Sequence, residues 1–168
     1  MNNDIFNEND MIKLQELLRA NKQTITVAES CTGGLVASMI TKISGSSDIF
    51  NGSIVSYSNK IKNQELNVKN ETLEKFGAVS CEVVNEMLNG VISKFDADYA
   101  IAISGIAGPN GGTKHKPVGT VVIGICDSKH HLMVDVYTFI GSREEVQKQA
   151  AEQALKEISK FLLKALDK

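Results

Sequence analysis

Arginine is nearly missing from this chain. Of its 18 basic residues only Arg19 and Arg143 are arginine, so lysine supplies the ordinary surface charge and each guanidinium invites a specific role. A basic excess is missing too. The formal net charge of −2 and pI near 5.9 leave nothing to neutralise a phosphate backbone, and no nucleic-acid partner is expected. No run approaches the roughly 20 apolar residues that a membrane-spanning helix needs, and the opening MNNDIFNEND is polar and acidic, unlike a secretion signal. A cytoplasmic location without a membrane partner is therefore the expectation. Cysteine is scarce: Cys31, Cys81 and Cys126 form no CxxC pair and have no histidine at ligand spacing, which argues against a disulfide framework and against a zinc site. The three histidines, His115, His130 and His131, fall in a loop and a hairpin with no carboxylate placed beside them by sequence, and read as solvent-facing.

What is present suits one domain. A chain of 168 residues with 42% hydrophobic content builds one substantial core and is short for two, so residues 1–168 are expected to form a single unit. Ile12, Leu14, Leu17 and Leu18 lie at helical spacing behind a cap at Asn9 or Asp10. The run Thr24 to Ala28 is short and β-branched like a buried strand, and the turn from Glu29 to Gly34 leads into an apolar helix, Leu35 to Ile40. A second strand is read at Gly52 to Ser58, helical composition at Asn59 to Leu66, and a short helical turn at Thr72 to Phe76. Ser80 caps a longer helix, Cys81 to Phe95, with an apolar stripe. Tyr99 to Ser104, Val118 to Cys126 and Leu132 to Ile140 read as strands, the last two joined by a polar hairpin and so antiparallel. Ser142 and Glu145 form a capping box that opens a terminal amphipathic helix. Strands alternating with such helices predict a three-layer α/β/α domain with a mixed sheet and no internal repeat.

In open α/β sheets ligands gather at the carboxyl ends of strands, which here are the loops at Glu29 to Gly34, Ser58 to Lys62 and Ser104 to Gly112. Gly33 and Gly34 let backbone N–H groups at a helix start face a polar ligand. Tyr57, Ser58, Asn59, Lys60 and Lys62 put a phenol, a hydroxyl, an amide and two amines at a strand end, where desolvation favours a neutral lysine. The loop SGIAGPNGGTKHKPVGT is long for a compact domain, and such length usually serves function. Cys31 has no histidine to ionise it and reads as a packing or backbone-contact residue. Arg143, at a helix start, is the candidate for a phosphate or carboxylate.

Taken together, AESCTGG, GSS, YSNxxK, GAVS, SGIAGPxGG, KPVGT and FxGxR occur in order between about residues 10 and 165. In that pattern the chain resembles the CinA-type C-terminal domain family, the nicotinamide mononucleotide deamidases, in their stand-alone form without the family's N-terminal domain. The resemblance implies hydrolysis of the nicotinamide mononucleotide carboxamide to nicotinate mononucleotide and ammonia, in pyridine nucleotide salvage, with no metal or organic cofactor. It further implies a serine amidase with a lysine partner. Ser47 of GSS and Lys62 of YSNxxK are named as that pair, with Ser30 as the rival nucleophile and Tyr57 orienting groups or relaying protons. Cys31, Thr32, Gly33, Gly34, Ser46, Ser104, Gly105 and Arg143 are expected to line the substrate site, and oxyanion donors are sought near Ser30 to Gly34 or Ser104 to Gly105. A homo-oligomer is expected from the apolar helix faces. Two positions depart from the family pattern: Ser142 stands where aspartate is usual and Asn67 where glycine is common. A non-catalytic nucleotide-binding or competence-associated partner protein is the alternative.

Overall fold

Helices and strands alternate in the computed structural model, which describes residues 5–167. In chain order they are α1 (Glu8–Ala20), β1 (Ile25–Glu29), α2 (Leu35–Thr41), β2 (Phe50–Val55), α3 (Asn59–Leu66), α4 (Asn70–Phe76), α5 (Cys81–Phe95), β3 (Tyr99–Gly105), β4 (Thr120–Asp127), β5 (Leu132–Thr138) and α6 (Arg143–Leu166). The polar opening read from the sequence falls partly outside the described residues, at positions 1–4. Among the described residues no helix is long and apolar enough to cross a membrane.

Strands β4 and β5 and helix α4 shift by up to two residues at their ends from the sequence reading, and two other boundaries, of α1 and β2, differ for local reasons. The cap of α1 is Asn7, whose side chain accepts from Asp10 N while the Asp10 carboxylate accepts from Asn7 N; this reciprocal pair outcompetes Asn9 and Asp10 as a start. Strand β2 lies about two residues earlier than expected and ends at Val55. Ser56 leaves the ladder to bond Glu29 O through both its N–H and its hydroxyl, and Ser58 becomes the cap of α3 by accepting from Ile61 N at 3.2 Å.

The sheet has five strands in the order β2-β1-β3-β4-β5. β2, β1 and β3 run parallel, whereas β4 and β5 run antiparallel to their neighbours, giving the expected mixed sheet. The period-two alternation of β3 divides the core. Tyr99, Ile101 and Ile103 face α1, α2 and α6, while Ala100 and Ala102 face α5. The second face is flattened by small residues, and a Cβ on Gly124 would lie 2.7 Å from Val84 Cγ1, so α5 packs tightly on the sheet. α3 in turn crosses α5 at Gly90, where a Cβ would fall 2.0 Å from Leu66 O. Through that contact the core fixes the height of α3 above the sheet. From β1 the chain moves outward to β2 and then crosses to β3 on the other side, so the carboxyl ends of β1 and β3 flank a topological switch point, where such sheets open a crevice.

Candidate active site

Ser30 follows β1 directly and donates its N–H to Ile103 O at 3.0 Å, which pins it to the end of β3. Ser56 is pinned likewise at the end of β2, its N–H donating to Glu29 O at 2.7 Å. Lys62 sits one turn beyond the Ser58 cap on α3, pointing inward. Its Nζ lies 2.8 Å from Ser30 Oγ and 2.8 Å from Ser56 O. The side chain is only 1% exposed. Burial lowers the Lys62 pKa from 10.5 to about 8, against a smaller opposing influence from Cys31, because a desolvated ammonium loses its hydration. At pH 7 an amine with that pKa is roughly one-tenth neutral, and the neutral form can accept the serine proton while one of its own N–H groups stays on Ser56 O.

The crevice above this pair encloses about 290 Å³ and is bordered by Ser30, Lys62, Tyr57, Asn59, Ser104 and Arg143 among others. Its far wall is the glycine-rich loop, with Gly105, Ala107 and Asn110. That loop is held by hydrogen bonds at its base: Ile106 N donates to Thr120 O and Gly119 N to Ile106 O. Ser104 Oγ donates to Ala78 O at 2.7 Å and Lys116 Nζ to Phe76 O at 2.8 Å, tying the loop to the end of α4 and to Ala78 just beyond it. Gly105 has no room for a side chain, since a Cβ would lie 2.7 Å from Val121 Cγ2 and 3.0 Å from Cys31 Sγ. Burial pushes the Cys31 thiol up to about 12, so Cys31 stays protonated and packs. At the mouth, Arg143 donates to Gly108 O at 2.7 Å and to the Tyr57 hydroxyl, a clasp joining three loops through the first turn of α6. Ser142 caps that helix with a complete capping box, filling the capping role at the position where the resemblance leads to an expectation of aspartate, and Gly108 O and the Tyr57 hydroxyl accept from Arg143. Asn67 adopts φ +56° at the end of α3, the left-handed conformation that asparagine tolerates better than most side chains.

Several expected site residues lie elsewhere. Ser47 and Ser46 belong to a 3₁₀ turn, Ser46–Asp48, that precedes β2. Ile49 O accepts from Ile25 N at the start of β1, so this turn stands at the opposite end of the sheet from Ser30, roughly 16 Å away along five residues of strand. Ser47 is exposed, Ser46 is buried beneath the turn, and neither meets Lys62; the Ser47–Lys62 pairing is corrected to Ser30–Lys62. The physical reason is direction. Parallel strands put all their carboxyl ends on one edge, and the GSS turn feeds an amino end. Thr32, Gly33 and Gly34 stand close by but border the outer groove between α2 and α6. His131 is exposed yet not unpartnered, its Nδ1 lying 2.7 Å from Asp127 Oδ2 in the hairpin at that same far end.

Three site residues had no role assigned from the sequence. Glu29 is fully buried and its carboxylate accepts from Thr32 Oγ1 and from the N–H groups of Val36 and Ala37, so it holds the turn that carries Ser30. A carboxylate just ahead of a glycine turn into a helix was the available signal. Ser56 and Gln147 act through backbone contacts that leave no pattern in sequence. A larger groove of about 560 Å³ between α1 and α6 is lined by Leu14, Leu17, Leu163 and flanking lysines, and the hydroxyl of Ser159 there donates to Leu155 O at 2.8 Å. Among the described residues no group of His, Cys, Asp and Glu gathers in a way that could hold a metal ion.

A three-layer α/β domain with a buried Ser–Lys pair at its switch point is thus the class of protein. The family model of the CinA C-terminal domain matches residues 8–162, and the chain belongs to that family. It is 47% identical over 146 residues to a CinA-like protein of Thermotoga neapolitana, covering 87% of this chain and 35% of that protein. With a CinA-like protein of Syntrophomonas wolfei the identity is 55% over 131 residues, or 78% of this chain and 31% of the other. The chain therefore spans about a third of the length of these relatives. Among solved structures, competence damage-inducible protein A from Klebsiella pneumoniae is similar with a TM-score of 0.89 and 33% identity, over 92% of this chain and 96% of that one. A CinA superfamily protein from Escherichia coli gives 0.87 and 34%, over 92% and 89%.

Proposed function

We propose that this chain hydrolyses the carboxamide of nicotinamide mononucleotide, with Ser30 as nucleophile and Lys62 as its base. The observation that carries the chemistry is the 2.8 Å contact between Ser30 Oγ and an amine that is 1% exposed. The substrate rests on the motif resemblance. Ser30 Oγ adds to the amide carbon as its proton passes to Lys62 Nζ, and the carbonyl oxygen takes the negative charge. Collapse expels ammonia, which receives that proton, and leaves an acyl group on Ser30. Water then adds, giving its proton to Lys62; nicotinate mononucleotide departs and Ser30 regains its hydrogen.

Arg143 stands at the mouth as the anchor for the substrate phosphate, with Tyr57 orienting it. Ammonia release from nicotinamide mononucleotide by purified protein, stoichiometric with nicotinate mononucleotide, is the test. Release that persists in Ser30→Ala removes the assignment of the nucleophile. No release from the unaltered protein favours the nucleotide-binding partner without turnover.

A further inference from the structure

Gln147 lies on α6 one turn beyond Arg143, and its Nε2 donates to Cys31 O at 2.9 Å. The position of that acceptor matters. Gly33 N donates to Ser30 O at 3.0 Å, closing a four-residue turn whose central peptide joins Cys31 to Thr32. A trans peptide sends its C=O and N–H in opposite directions. Cys31 borders the crevice with Ser30, whereas Thr32 and Gln147 border the groove outside it. Holding the Cys31 carbonyl toward Gln147 therefore turns the Thr32 N–H the other way, toward the crevice side of the turn.

The state of that N–H points to an acceptor that is not part of the protein. Thr32 is 3% exposed, and among the described residues neither its N–H nor that of Cys31 donates to a protein acceptor. Buried N–H groups are rarely left unpaired. Two of them immediately after a nucleophile suit the oxygen that becomes negative as Ser30 attacks. A flipped central peptide would need positive φ at Thr32, and Thr32 is not among the residues with positive φ. Side-chain sterics thus choose the face, while the Gln147 hydrogen bond fixes the remaining rotation and, by polarising the peptide, strengthens the N–H opposite.

We propose that Gln147 is a positioning residue: through the Cys31 carbonyl it aims the Thr32 N–H, beside that of Cys31, at the oxyanion. The inference rests on the Ser30–Lys62 reading but not on the nicotinamide substrate. It is tested with para-nitrophenyl acetate, whose acetyl group transfers to Ser30 Oγ with release of para-nitrophenolate. In Gln147→Met, which keeps the length and removes the donor, the acylation rate constant is expected to fall about 10- to 100-fold, with the half-saturating ester concentration and the melting temperature unchanged. Gln147→Lys restores a donor and is expected to recover part of the rate. Equal rate constants in Gln147→Met and the unaltered protein overturn the proposal, as does a loss that appears only in half-saturation. If the unaltered protein is not acetylated at Ser30, the Ser30–Lys62 reading falls and this inference with it. Nicotinamide specificity is read separately, from ammonia release.

Discussion

Ser30 and Ser47 both stand in tight, glycine-bearing turns next to parallel strands, yet the two ends of the sheet treat them differently. At the carboxyl end, Ser30 meets a lysine amine that is almost fully buried and drawn toward neutrality. At the amino end, Ser47 lies exposed beside an Arg19–Asp48 ion pair of 3.1 Å whose two side chains are themselves open to solvent. Hydroxyl chemistry is the same in both turns. What differs is the partner: a buried amine faces the hydroxyl only where α3 is pressed onto two strand ends and shut away from water.

The sharpest way to break this comparison is to remove each hydroxyl. Ser30→Ala is expected to reduce ammonia release by at least about a thousandfold, while Ser47→Ala changes it less than about twofold; the reverse pattern would return the nucleophile to Ser47. Next in size is the pH dependence. With the Lys62 pKa at about 8, kcat/KM should climb close to tenfold per pH unit below that value and level off above it. A profile that is flat from pH 6 to 9 would take Lys62 out of the role of base.

Stability offers two smaller probes. An alanine Cβ at Gly90 would collide with the Leu66 carbonyl, so Gly90→Ala should cost about 1–3 kcal/mol in denaturant unfolding and lower turnover by lifting Lys62 away from Ser30. Unchanged stability would mean that α3 is not set by this crossing. Lys62→Met should behave in the opposite sense, inactive yet more stable at pH 7 by about 1–3 kcal/mol. The sign follows from proton counts. The unfolded lysine titrates near 10.5 and the folded one near 8, so between these values the unfolded chain holds more protons and the stability of the unaltered protein rises with pH. The advantage of Lys62→Met should therefore shrink from pH 8 upward and vanish above about 10.5; an advantage that stays constant would contradict a charge cost at Lys62. The smallest effect belongs to the other end of the sheet, where Arg19→Ala should change stability by less than about 1 kcal/mol and leave turnover untouched.

Local chemistry made most of the elements readable. The capping box at Ser142 and Glu145, the apolar stripe of α5 and the alternation in β3 each act within a few residues, and each stands close to where the sequence places it. The boundary of β2 was less readable because Ser56 and Ser58 have strand-like neighbours and leave the ladder only for the partners they meet, Glu29 O and Ile61 N. Position at a strand end pointed to Lys60 and Lys62 alike, and the family resemblance named Lys62. Its partner could not be singled out, since Gly45-Ser46-Ser47 and Glu29-Ser30-Cys31 look equally apt as chain segments.

By itself the sequence determined an α/β domain with a mixed sheet, its family, and the hydroxyl- and amine-bearing residues near the strand ends, because periodicity, capping and turn propensity are decided over short stretches of chain. Tertiary structure alone decided which serine meets the lysine, that Gln147 reaches the turn after Ser30, and how far the amine is driven toward neutrality. Those are matters of which strand ends share an edge and how completely water is excluded between them, and both are set by packing across 32 residues for Ser30 and Lys62 and 116 for Cys31 and Gln147.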